Sequence, residues 1–185
     1  MNITPTAIAG VYLIDPQPHR DARGFFARMF DEAVFGAAGL ATRFTQMNNS
    51  LSHQKATLRG LHYQLPPSAE VKLVRCVRGA LWDVALDLRP GAGFGRWVAA
   101  ELTAENRRMI HVPTGVAHGF ITLADDTEAL YLTTAAYDPA AERGIRWNDP
   151  RFAIAWPLPP STLSDKDRAW PDFDLEYHGT AAFSG

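Results

Sequence analysis

Apolar and polar residues alternate along most of this chain with a period of two, the repeat of a half-buried β-strand. The pattern predicts strands at residues 9–14, 25–30, 44–50, 57–64, 71–77, 80–88, 96–102, 108–112, 117–123 and 128–137. Turn residues at Pro66-Pro67, Arg78-Gly79, Pro90-Gly91 and Pro113-Thr114-Gly115 separate several of them. One early stretch reads as a helix, residues 31–40, with Asp31 as its N-cap and Gly39 near its end. The Pro- and Asp-rich tail from residue 138 predicts only short helical turns, near residues 164–168. Many short strands between turn signals predict a mainly β sandwich or barrel with a few peripheral helices.

The faces of these strands carry chemical information. Gln46, Asn48 and Ser50 share one face, His62 lies with Gln64, and Asp83 with Asp87. Tyr131, Thr133 and Tyr137 fall on one face, opposite Leu130 and Leu132. A wet sheet face favours long charged side chains. These stripes carry shorter hydrogen-bonding groups, which suit a lined cavity in the mouth of a barrel.

Composition narrows the partner. The chain has 185 residues, an expected single domain with its core at about 8–173, and 46% apolar residues suffice for that core. Lys and Arg number 18 against 20 Asp and Glu, a net charge of −2, which argues against nucleic-acid or membrane-surface binding by bulk charge. No apolar run approaches the ~20 residues of a membrane span. The N-terminus lacks the pattern of a signal peptide. One cysteine, Cys76, excludes an intrachain disulfide and fits a reducing cytoplasm. Cys76 lies in an apolar strand pattern and reads as a packing residue.

Within the stripes lies a proton-transfer set. His62 can move a proton near neutral pH. Lys72 can stabilise an oxyanion. Asp83 and His118 supply a second carboxylate and imidazole, and Tyr131 or Tyr137 can return a proton from the opposite side. Together they describe proton abstraction beside a carbonyl. Arg23, next to Phe25 and Phe26, and Arg59 suit a discrete phosphate ligand, because the guanidinium fork matches phosphate oxygens. His62 and His118 are the only obvious metal ligands, since Gln64 stands where a metal-binding cupin has a second histidine. No nucleotide-binding Gly-rich fingerprint or serine-nucleophile elbow is present, so neither a metal nor another cofactor is expected.

The chain resembles the dTDP-4-dehydrorhamnose 3,5-epimerase family of nucleotide-sugar epimerases. The resemblance is carried by Asp21-x-Arg23-Gly24, Gln46-x-Asn48-x-Ser50, Leu58-Arg59-Gly60-Leu61-His62, Lys72-Leu73-Val74, Asp83-Val84, Pro113-x-Gly115-x-Ala117-His118-Gly119-Phe120, Trp147-Asn148-Asp149-Pro150 and Leu163-Ser164-x-Lys166-Asp167. It implies a cupin jelly-roll without a metal, and a homodimer in which an N-terminal strand can join the partner's sheet. The implied reaction is epimerisation at C3 and/or C5 of a nucleoside-diphosphate 4-keto-6-deoxyhexose. By the same resemblance His62 is the base, paired with Asp167, Tyr131 is the acid, and Lys72 faces the enolate. Arg23 and Arg59 would contact the diphosphate, and Phe26, Gln46, Asn48 and Tyr137 the nucleotide and sugar. His118 and Asp83 would be further pocket residues. Arg28 stands where many members carry a glutamate near the base, which opens a cytidine-linked sugar beside a thymidine-linked one. The same residues also admit a mono-epimerase, a metal-dependent cupin using His62 and His118, or a purely binding cupin.

Overall fold

The computed structural model describes residues 1–183. Thirteen strands run in chain order: β1 (Asn2–Pro5), β2 (Tyr12–Asp15), β3 (His19–Asp21), β4 (Gly24–Phe26), β5 (Gln46–Ser52), β6 (Leu58–Gln64) and β7 (Lys72–Arg78), then β8 (Ala80–Asp87), β9 (Trp97–Thr103), β10 (Met109–Val112), β11 (Val116–Thr122), β12 (Thr127–Thr133) and β13 (Glu142–Gly144). Three short helices, α1 (Glu32–Ala37), α2 (Asp165–Ala169) and α3 (Leu175–His178), lie at the periphery.

Strands in the order β1-β2-β10-β7-β12-β5 form one sheet, and β13-β6-β11-β8-β9 form the other; β3 and β4 make a separate hairpin. All the strand pairings are antiparallel. The two sheets face each other as a jelly-roll, with Val74, Cys76, Leu81, Ala85, Ile110, Phe120 and Ala129 in the shared core between them. Alternation along each strand explains this layering. On β7, Val74 and Cys76 enter the core between the sheets, whereas Leu73 joins Ile14, Phe35, Leu40 and Met109 in a second cluster with α1 residues. On β6 and β8, Leu61, Tyr63, Val84 and Leu86 pack with Ile145 and Phe152 from the C-terminal segment.

The predicted strands over residues 44–133 are found within a few residues of their expected limits. Three differ more. The run at 25–30 stops at Phe26, because Asp31 caps α1 by accepting from the backbone N–H of Ala33 and Val34. The strand at 9–14 begins only at Tyr12, after a turn closed by the Thr6 N–H donating to the Val11 carbonyl. The strand at 128–137 ends at Thr133, so Tyr137 reaches its place from a loop rather than by alternation. The strands β1 and β13 carry too few residues for a periodic signal. Rather than extending free, β1 pairs with β2 of its own chain.

Candidate active site

The apolar core fills one part of the space between the sheets, and polar side chains line the rest. Two adjoining lobes, of about 440 and 220 Å³, share His62, Lys72 and Tyr131. The larger is also lined by Gln46, Asn48, Gln64, Glu70, Thr133, Tyr137 and Glu142, the smaller by Ser50, Arg59, His118, Phe120, Lys166 and Asp167. The position of the polar residues follows from strand register. Tyr131 is opposite Asn48 on one side and Val74 on the other, and Thr133 is opposite Gln46 and Lys72. The inward positions of β5, β7 and β12 thus bring their polar residues to one region.

His62 and His118 lie opposite each other on β6 and β11, and each leans on its own carboxylate. His62 Nε2 is 2.5 Å from Asp167 Oδ1, and His118 Nε2 is 2.9 Å from Asp83 Oδ2. Burial pushes the Asp167 carboxyl up, but the hydrogen bond and charge of His62, with bonds from Ser164 and Trp170, outweigh it and hold the group below the usual carboxylate range. Complete burial wins at Asp83, whose carboxyl is pushed up against the opposing pull of His118. Burial also raises the Tyr131 phenol, with Arg59 opposing, so this group carries its proton at neutral pH. Among the described residues, no group of three or more His, Cys, Asp or Glu is placed to hold a metal ion.

Asp167 reaches His62 because Ser164 caps α2, its hydroxyl accepting from the Asp167 N–H at 3.0 Å. Trp170 at the end of α2 donates from its indole N–H to Asp167 Oδ1 at 3.3 Å. That indole fits only because Gly144 lies beneath it, where a Cβ would come within 2.1 Å of the ring. A close backbone contact also sets the histidine strand. At Gly60, φ is +120°, and a Cβ there would lie 2.6 Å from the Gly119 Cα.

Several predicted residues acquire specific partners. Arg59 donates to Ser52 Oγ at 3.1 Å and to the Leu51 carbonyl at 3.0 Å, which fixes its guanidinium at the smaller lobe. Gln46 accepts from the Tyr137 backbone N–H at 3.0 Å, which places that tyrosine at the cavity edge. Gln64 donates to the Ser68 and Ala136 carbonyls and accepts from the Asp138 N–H, stapling the loops beside the cavity. Asp83 lines neither lobe and lies fully buried behind His118, and Asp87 pairs with Arg89 at 2.8 Å. Burial pushes the Cys76 thiol up to about 11, in keeping with a packing role.

Arg23, Phe26 and Arg28, expected at the diphosphate and nucleotide, lie away from the cavity of His62 in this chain. Arg23 is paired with Asp21 on the exposed β3–β4 hairpin, and Phe26 is 63% exposed. Arg28 lies 3.2 Å from Asp31, and with Phe26 it lines a separate groove beside Met1, Gln17 and His19. None of the three lines the cavity of His62. Conversely, sequence reasoning missed Glu142, Lys166, Trp170 and Glu70. Tyr137 donates to Glu142 at 2.9 Å, Lys166 also pairs with Glu142, and the Lys166 ammonium sits 5.6 Å from the Tyr137 ring centre. These residues come from loops and short elements without periodicity. Lys166 alone carried a signal, as it sits inside the motif that contains Asp167.

A β-sandwich cavity with two imidazole–carboxylate pairs, a lysine and a protonated tyrosine defines an acid–base enzyme of the cupin type. The family model described as dTDP-4-dehydrorhamnose 3,5-epimerase matches residues 5–174. A dTDP-4-dehydrorhamnose 3,5-epimerase of Shigella flexneri is 47% identical over 169 residues, covering 90% of this chain and 93% of the relative. The fold matches the crystal structure of the Legionella pneumophila dTDP-6-deoxy-D-glucose-3,5-epimerase RmlC in complex with dTDP-4-keto-L-rhamnose, with a TM-score of 0.89, 40% identity and 95% and 96% of the two chains covered. It also matches ChmJ, a 3'-monoepimerase of Streptomyces bikiniensis in complex with dTDP-quinovose, with a TM-score of 0.86, 34% identity and 97% and 91% covered. The chain belongs to the dTDP-4-dehydrorhamnose 3,5-epimerase family and is an isomerase-type enzyme. Among the described residues no helix is long and apolar enough to cross a membrane.

Proposed function

We propose that this enzyme epimerises dTDP-4-dehydro-6-deoxyglucose at C3 and C5 to dTDP-4-dehydrorhamnose, with His62 as base and Tyr131 as acid. The carrying observation is that His62, Lys72 and Tyr131 are the three residues common to both lobes of one cavity. The C4 ketone acidifies its neighbouring C–H bonds. His62 takes such a proton, Asp167 stabilises the imidazolium, and the C–H electron pair moves into an enolate whose oxygen faces the Lys72 ammonium. Collapse of the enolate takes a proton from the Tyr131 hydroxyl on the opposite face of the ring, which inverts the centre. His118, backed by the buried Asp83, supplies a polar wall to the smaller lobe, and Arg59 holds the diphosphate. Asn48, Gln46 and Tyr137 line the sugar and nucleotide side.

The protein acts in this reading as a single 1–185 domain within a homodimer. The β3–β4 hairpin offers Arg23 and Phe26 away from their own cavity, and Phe25, Phe30, Val34, Met47 and Leu51 are exposed on or near β4, α1 and the edge strand β5. A second copy covering this apolar surface brings the hairpin to the neighbouring subunit's nucleotide. Incubation with the thymidine- or cytidine-linked 4-keto-6-deoxyhexose in deuterated water tests the reaction. Deuterium at C3 and C5 of the thymidine-linked sugar is expected. Label at one carbon alone makes the enzyme a mono-epimerase, and no label on either nucleotide overturns the proposal.

A further inference from the structure

The cavity contains a carboxylate that the proton-transfer scheme does not use. Glu70 stands between β6 and β7, two residues before Lys72, and its side chain is only 6% exposed. Its Oε1 lies 3.2 Å from Lys72 Nζ, while Oε2 is buried without a hydrogen-bond partner among the described residues. A buried carboxylate with an unbonded oxygen is costly to the fold. An amide could offer Lys72 the same acceptor without burying a charge, so the charge itself calls for an explanation.

The lysine supplies one. An ammonium carries three N–H donors. One of those of Lys72 goes to the His62 carbonyl at 3.0 Å, and the ammonium is ion-paired with Glu70 Oε1 at 3.2 Å, which leaves an N–H for a ligand. The other titratable groups around the lysine are His62 on β6, Asp83 on β8, His118 on β11, Tyr131 on β12 and Glu142 on β13. Asp83 already faces His118, and Glu142 faces Lys166 and Tyr137. Glu70 is therefore the carboxylate committed to Lys72.

We infer that Glu70 is a positioning residue, which holds the Lys72 ammonium with an N–H free for the enolate oxygen when the sugar displaces water from the cavity. The inference rests on Lys72 facing the enolate, as proposed above. A substrate that fills the cavity removes the solvent that would otherwise support the ammonium, and a fixed carboxylate replaces that support.

The test compares Glu70→Gln and Glu70→Ala with the unmodified enzyme, by NMR of solvent deuterium incorporation and by kcat and KM. Glu70→Gln keeps volume and acceptor but loses charge. It is expected to lower kcat about 10-fold while changing KM less than about 2-fold. Glu70→Ala, which also loses the acceptor, should lose about 100-fold in kcat. Circular dichroism establishes that each variant is folded, and the isosteric Gln variant decides if the Ala variant is not. An unchanged kcat in Glu70→Gln overturns the inference, as does a loss confined to KM. Absence of exchange in the unmodified enzyme refutes the epimerase reading instead, so the two failures are distinguishable.

Discussion

His62 and Asp167 are 105 residues apart in the chain, yet His62 Nε2 and Asp167 Oδ1 meet at 2.5 Å. The contact joins an inner strand to the short helix α2, and in the proposed mechanism it makes the C-terminal segment part of the catalytic apparatus. Asp167→Asn preserves the shape of this contact but removes the charge that supports an imidazolium. Its deuterium exchange rate should fall by about 10–100-fold, with substrate KM little changed, as checked by NMR and steady-state kinetics.

The same carboxylate makes stability pH-dependent. Its folded value lies below the unfolded one, because bonds from His62, Ser164 and Trp170 outweigh the raising effect of burial. The stabilisation is therefore complete above the ordinary carboxylate range, at about pH 5 and higher, and is lost as pH falls through the depressed folded value. Chemical denaturation from pH 7 to pH 3 should show a smaller loss of stability in Asp167→Asn than in the unmodified protein. Equal slopes would remove Asp167 as a contributor to acid sensitivity.

In the proposed mechanism Tyr131 separates abstraction from return. Tyr131→Phe leaves His62 and Lys72 in place but removes the acidic hydroxyl from the other face. The variant should wash deuterium into the sugar at the position His62 serves, while the yield of inverted product falls by about 100-fold or more. Full inversion by a folded Tyr131→Phe protein would transfer the acid role to Tyr137 or to water.

Gly144 tests how far the site depends on packing behind it. A Cβ at this position would lie 2.1 Å from the Trp170 ring, so the indole must move and with it the donor to Asp167. Gly144→Ala should cost about 1–3 kcal/mol in denaturant unfolding and lower kcat alongside. A stable variant with full activity would show that Trp170 does not position the carboxylate.

Much of this arrangement was legible in the alternation of β5 to β12. His62, Lys72, Tyr131, Gln46 and Asn48 all lie on inward-facing strand positions, where a two-residue period identifies a face. Tyr137 reached the cavity for a different reason, since β12 had already ended at Thr133 and a bond to Gln46 holds the loop. Asp167 came only through family resemblance, because no local pattern relates α2 to a strand so distant in sequence. Glu70, Glu142 and Trp170 lie outside any long periodic run and had no such signal. Arg23, Phe26 and Arg28 look like parts of one pocket in the sequence, but they lie on the exposed β3–β4 hairpin and beside α1, because sequence pattern does not relate that segment to the face of β6.

The most direct test of the mechanism is solvent deuterium incorporation by folded His62→Ala protein supplied with dTDP-4-dehydro-6-deoxyglucose, read by NMR at C3 and C5. The enzyme should label both positions before substitution and neither above the uncatalysed background after it. Normal labelling by His62→Ala would contradict the assignment of His62 as the base.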